Sequence, residues 1–267
     1  MTVDELVHAR SAPLAPASMI ERMTLILNAF DGPAPVLTLL DVVDRTGLPR
    51  SSVHRIIDQM LRLRWLAHAP GGYRLGTRAL ELGGLAVEHL EIRQTVSPLL
   101  PELCRRTGLV AHLGVLDGPD VLVVDKVADR CGAGIPTRLG GRMPAHCTAI
   151  GKALLATLSP RVLELAFRER LPQLTPRTIG HRDDLRRELD RVRDHHGIAV
   201  DHGEALSGVA CVAVAIRTDA ESGGLAAVSL SGRLGDGHAP GAGRVAQVLV
   251  EVVDANARRV VYRRRPR

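Results

Sequence analysis

Apolar residues recur at helical spacing three times before residue 62, and the chain then changes to alternation and short apolar runs. Met19, Met23, Ile26, Leu27 and Phe30 form the first stripe. Ser18 with Glu21 three positions on gives it a capping box, and Asp31-Gly32-Pro33 stops it. Thr38 with Asp41 repeats the capping pattern ahead of Leu39, Val42 and Val43, and Gly47 suits a left-handed helix end. The third stripe is Val53, Ile56, Ile57, Met60 and Leu61, preceded by Pro49, which costs no hydrogen bond in a first turn. The opposite face of that segment carries Arg50, Ser51, Ser52, His54, Arg55 and Gln59. Trp65–His68 and Tyr73–Leu75 then predict two short strands around Gly71-Gly72.

Two short helices across a tight turn, the second basic and polar on its outer face, followed by a hairpin, give the order of a winged helix-turn-helix. Such a fold sets the first turns of its second helix in a DNA major groove. Arg50, Ser51, Ser52, His54, Arg55 and Gln59 are side chains suited to phosphates and base edges, and Arg74 on the wing to phosphate or the minor groove. Each helix alone fits an ordinary three-helix core; the joint pattern is what points to double-stranded DNA.

Beyond the wing, Thr77–Arg93 predicts one more helix, with Ala79, Leu82, Ala86 and Leu90 along one side. Gly83-Gly84 weakens it by about 1 kcal/mol per glycine relative to alanine. Close packing on a partner helix would compensate, so the segment is expected to link two domains and to form a dimer contact. The remaining chain interleaves strand patterns (109–116, 121–127, 198–202, 209–217, 225–230) with helical ones (148–158, 160–170, 182–196, 243–259), and 135–139 reads as extended. Asp117-Gly118-Pro119 signals a hairpin. The expected fold class is α+β with a mostly antiparallel sheet.

Composition sharpens this in three places. The net charge of +6 suggests nucleic acid, but Arg258, Arg259, Arg263, Arg264, Arg265 and Arg267 account for it, and the rest of the chain is balanced. The DNA argument therefore rests on local placement. No run of about 18 apolar residues exists, so no membrane helix is expected, and residues 1–17 read as a flexible leader rather than a secretory signal. Cys104, Cys131, Cys147 and Cys211 lack CxxC spacing, which implies a reduced, cytoplasmic protein without a zinc ribbon or disulfide scaffold.

Candidate chemistry is sparse. Gly151-Lys152-Ala153 fails as a phosphate loop, since His146 and Ala153 occupy positions that need glycine and Ser or Thr. His146-Cys147 raises a thiol nucleophile as an alternative function, a cysteine-dependent hydrolase. His195-His196 before Gly197 is a helix end, with a metal site as its less favoured reading. Asp201, Cys211, Ser229 and Ser231 are polar groups set among apolar strand patterns, with Ser229 and Ser231 on one face. They fit either a small-ligand pocket or strand-edge serines and a core cysteine.

The segments DRTGLPRSSVHRIIDQM, YRLGTRALELG, GRMPAHCTAIGKALLA, DHGEALSGVACVAVAI and VSLSG, in that order, resemble the IclR family of bacterial transcription regulators from about Ser18 to about Val261. The family pattern commonly has glycine where this chain has Arg64, and another polar or acidic residue where it has His202. The resemblance implies a winged helix-turn-helix over 18–76, a linker helix over 77–93, a GAF-like effector-binding domain over 94–262 and a basic tail over 263–267. It also implies a dimer or tetramer that binds an operator and answers to a small organic acid or aromatic catabolite. Carried over, its effector pocket falls on Ala149, Ile150, Asp201, Cys211, Ser229 and Ser231. No catalytic residue, metal or cofactor is expected. A DNA-binding dimer that senses nothing is the remaining alternative.

Overall fold

The computed structural model describes residues 18–32, 34–128, 134–218, 225–234, 242–255 and 260–262. The expected leader, the basic tail, Cys131, Arg258 and Arg259 lie outside these residues. The chain divides into two compact units, one within 11–89 and the other from residue 90 onward.

In the first unit, α1 (Met19–Asn28), α2 (Leu39–Thr46) and α3 (Arg50–Arg62) enclose Ile26, Leu37, Val42, Val53, Ile56, Ile57 and Met60. Both capping boxes form, with Glu21 and Asp41 side chains accepting from the backbone of Ser18 and Thr38. Gly47 closes α2 at φ 66°, the left-handed region open to glycine. The wing is β1 (Leu66–Ala69) against β2 (Gly72–Leu75), with His68 opposite Tyr73 and their rings 5.6 Å apart. The helix after the wing, α4 (Thr77–Glu88), ends at His89, short of the expected Arg93, and α5 (Glu91–Val96) begins anew. No residue of α4 is buried.

The second unit is built on one antiparallel sheet in the order β5-β4-β3-β8-β7-β6. Its strands are β3 (Val110–Asp117), β4 (Asp120–Val127), β5 (Arg142–Pro144), β6 (Ile198–His202), β7 (Val209–Thr218) and β8 (Leu225–Arg233). A further short strand, β9 (Val260–Tyr262), pairs with the far end of β7. Because side chains alternate along each strand, the sheet has two apolar faces. One carries Ala111, Leu113, Val212, Val214, Val228 and Leu230 beneath α5, α6 (Leu100–Thr107) and α10 (Ala242–Ala255). The other meets α7 (Ala149–Leu155), α8 (Pro160–Ala166) and α9 (Arg182–Asp194).

The 135–139 segment, read as extended, belongs to no strand of the sheet, and Lys126 Nζ donates to its Ile135 and Thr137 carbonyls, at 2.9 and 2.7 Å. The strands β5 and β9 were not foreseen, since three residues paired across a distant neighbour leave no alternation to read.

Candidate DNA face and ligand cavity

On α3, burial of Val53, Ile56, Ile57 and Met60 turns Arg50, Ser51, His54 and Arg55 to solvent, with Ser52 and Gln59 half-buried at the margins. His54 lies 3.4 Å from Asp58 one turn on, which tempers the positive charge of the face. Arg74 is exposed on the wing. Arg64, just after α3, adopts φ 62°, a left-handed conformation that favours glycine. Its guanidinium reaches Glu81 of α4 at 3.0 Å, and Glu81 also holds Arg78.

In the second unit the strand register sets two polar rows on the α7 side of the sheet. Val110, Ser231, Cys211 and Asp201 stand side by side across β3, β8, β7 and β6. The adjacent row is His112, Ser229, Ala213 and Ala199. Further along, Gly114, Ala227 and Ala215 are all small, and α7 packs onto this strip through Ala149, Ile150 and Ala153. The close approach depends on two glycines. A Cβ on Gly114 would sit 2.8 Å from Val121 and 3.0 Å from Ile150, and one on Gly151 would lie 2.0 Å from the Ala145 carbonyl. The cavity opens over the polar rows at the N-terminal end of α7, where Thr148, Ala149 and Ile150 line it.

Ala149, Ile150, Asp201, Cys211, Ser229 and Ser231, scattered over 83 positions of sequence, all line this cavity. The other lining groups include His112, Thr137, Thr148, Met143, Val121 and Leu206, which the sequence reading did not single out. The cavity has a volume of about 50 Å³.

His112 is buried, with Nε2 2.7 Å from Thr137 Oγ1 and Nδ1 3.4 Å from Ser231 Oγ. Burial, helped by the charge of Lys126, drops its pKa to about 4, so the ring is neutral at physiological pH. Burial pushes the Asp201 carboxyl up to about 6, against the pull of backbone amides at Glu204, Ala205 and Gly203 and of Lys152. Glu204 N donates to Asp201 Oδ1 at 2.7 Å. Lys152, at 1% exposure, lies behind this wall, with Nζ 2.6 Å from Glu204 and 3.1 Å from Glu188. The lysine of the failed phosphate-loop pattern thus ties α7 to α9 and to the turn after β6.

The thiol alternative finds no chemistry here. Cys147 is fully buried, burial lifts its pKa to about 12, and its Sγ points to the Pro144 carbonyl at 3.4 Å. His146 directs Nε2 to the Pro172 carbonyl at 2.9 Å. A thiol this hard to ionise is a poor nucleophile. His195 Nδ1 lies 2.8 Å from the Arg191 carbonyl at its own helix end. Among the described residues no group of three His, Cys, Asp or Glu is placed to hold a metal. No described helix is long and apolar enough to cross a membrane.

Residues 19–70 match the IclR helix-turn-helix domain, and residues 84–258 match the bacterial transcriptional regulator IclR C-terminal domain. The chain is 36% identical to the HTH-type transcriptional regulator XynR of Escherichia coli over 79% of its own length and 84% of that protein's. It is 34% identical to the regulator TtgV of Pseudomonas putida, over 75% of this chain and 76% of that one. An IclR homologue from Microbacterium hydrocarbonoxydans, solved in complex with 4-hydroxybenzoate, superimposes with a TM-score of 0.75 at 26% identity, over 90% of this chain and 97% of that one. The chain belongs to the IclR family of transcriptional regulators, pairing an N-terminal helix-turn-helix DNA-binding domain with a C-terminal effector-binding domain.

Proposed function

We propose that this chain is a non-enzymatic, cytoplasmic sensor that binds operator DNA as a homodimer or a tetramer and is switched by a small metabolite in the cavity over β3, β8, β7 and β6. The observation that carries the proposal is the convergence of Ala149, Ile150, Asp201, Cys211, Ser229 and Ser231 on one cavity whose other walls are mostly apolar. An apolar site with a few convergent polar groups is the usual form of a small-ligand site. On the DNA side, Arg50, Ser51, Ser52, His54, Arg55 and Gln59 read the major groove and Arg74 contacts the backbone or minor groove, consistent with their place on α3 and the wing.

The solved homologue's ligand, 4-hydroxybenzoate, extends the proposal to small organic acids and aromatic catabolites.

Operator binding by Arg55→Ala, measured by fluorescence anisotropy against specific and scrambled DNA, tests the DNA half. A guanine reader loses roughly 1–3 kcal/mol on the specific site alone. Equal weakening on both sequences makes Arg55 a phosphate contact, and unchanged binding removes it from the interface. Operator affinity that responds to no small molecule would leave a DNA-binding dimer without a sensor.

A further inference from the structure

If the cavity is the effector site, as proposed above, its charges restrict what can enter. The lining group that carries charge at neutral pH is an acid, Asp201, 2% exposed. Its carboxylate is approached by the backbone amides of Gly203, Glu204 and Ala205. A carboxylate offers about four acceptor positions, so roughly one remains for a donor from the cavity.

Among the described residues that line the cavity, none is a cation that could pair with an incoming anion. On β7 the neighbour is the Cys211 thiol, held protonated by burial, and on the turn before α7 it is Cys147, likewise protonated. From β3 comes His112, uncharged, and from β8 the Ser231 hydroxyl. Lys152 of α7 is shared between Glu204 and Glu188 of α9, and the second Glu204 oxygen is buried with no hydrogen-bond partner. Lys126, on β4, is not a lining residue and donates to the Ile135 and Thr137 carbonyls. Arg191 also pairs with Glu188, at 3.3 Å, and Arg177 donates to the His202 carbonyl, so the negative charge in excess is that of the lining itself, Asp201 with no Lys or Arg beside it. A carboxylate placed there would be desolvated beside a like charge with no counter-ion.

We infer that the cavity takes its ligand with an uncharged O–H head that donates to the Asp201 carboxylate: an alcohol, a phenol, or a carboxylic acid carried in with its proton. The apolar body then lies against Val121, Val123, Ile150 and Leu206. An acid that is ionised in solution takes up one proton from solvent on binding, and that proton is held between its oxygen and Asp201. Ser229 and Ser231 serve either form, since a hydroxyl both donates and accepts.

Four probes test this on the full chain by titration calorimetry and thermal shift at pH 6, 7 and 8: isobutanol with isobutyrate, and benzyl alcohol with benzoate. The alcohols should bind alike at pH 7 and 8, where Asp201 is ionised, and more weakly at pH 6, where it is about half protonated. Between pH 7 and 8 each acid should lose affinity about tenfold and take up one proton, and at pH 6 about half a proton, counted from the heats in buffers of different ionisation enthalpy. Asp201→Asn should abolish that pH dependence. Because Asp201 also shapes the turn at Gly203–Ala205, this variant can fail to fold, and the proton count on the natural chain then decides by itself. Acids bound as tightly at pH 8 as at pH 6, without proton uptake, overturn the inference and leave the sensor reading standing. Silence from all four probes removes the sensor reading, and this inference with it.

Discussion

Two buried side chains of the cavity, His112 and Asp201, respond to acid in opposite senses. His112 has a folded pKa of about 4, below its ordinary 6.5. The unfolded chain binds its proton more readily, so stability from this group is lost as pH falls from about 6.5 to about 4. Asp201 has a folded pKa of about 6, above its ordinary 3.8. Here the folded chain binds the proton more readily, so stability grows as pH falls from about 6 to about 4. At 1.36 kcal/mol per unit each effect is worth about 3 kcal/mol, and the two nearly cancel. His112→Gln should unmask a chain that gains stability on acidification, and Asp201→Asn one that loses it. Urea unfolding at pH 7, 6, 5 and 4 measures both slopes, and parallel slopes in the two variants would refute the opposition. Neither burial was readable from the chain. The polar residues of β6, β7 and β8 stand out in the sequence because they interrupt apolar alternation, whereas His112 sits in LVAHLGVL like any strand residue. Its role comes from the register that sets it opposite Ser229, a contact across 117 positions.

At the scale of elements, what is encoded locally was legible and what is encoded by pairing was not. The capping boxes at Ser18 and Thr38, the left-handed stop at Gly47 and the α3 stripe are all short-range devices, and each stands where the sequence places it. The break at His89 and Leu90 was missed because apolar spacing runs straight through it. The junction after α3 shows the two kinds of information in competition. Arg64 occupies a left-handed position, which costs a non-glycine residue about 1–2 kcal/mol. The exposed ion pair with Glu81 returns at most about 1 kcal/mol. Both Arg64→Gly and Arg64→Ala lose that pair, but only glycine relieves the backbone. Glycine at 64 should therefore leave the first unit about 1 kcal/mol more stable than alanine does, read as the difference in thermal unfolding of the two variants. Equal stabilities would mean that the turn relaxes around either residue.

For the whole molecule the informative feature is an apolar surface on α4 that the described residues leave exposed. In α4, Ala79, Leu82, Gly83 and Ala86 share a stripe beside Leu85, yet Leu82 is 37% and Leu85 51% exposed. A Cβ at Gly83 or Gly84 would meet nothing within 4 Å, so no contact among the described residues explains glycines that weaken the helix. A second copy of the helix would use both features, small residues for approach and leucines for burial. Each leucine buried in such an interface contributes roughly 1.5–3 kcal/mol. Leu82→Glu with Leu85→Glu should then weaken self-association by at least about 100-fold. The unfolding of each unit should be little changed, since neither side chain belongs to the buried core of the first unit. Sedimentation velocity over a concentration series tests the proposed dimer: a natural chain that self-associates while the variant stays monomeric places the interface on α4, and equal self-association of the two places it elsewhere. Operator binding supplies an independent reading, because two linked recognition helices bind paired half-sites far more tightly than one. A variant that is monomeric but binds the full operator as tightly as the natural chain would show that coupling through α4 contributes nothing to DNA recognition.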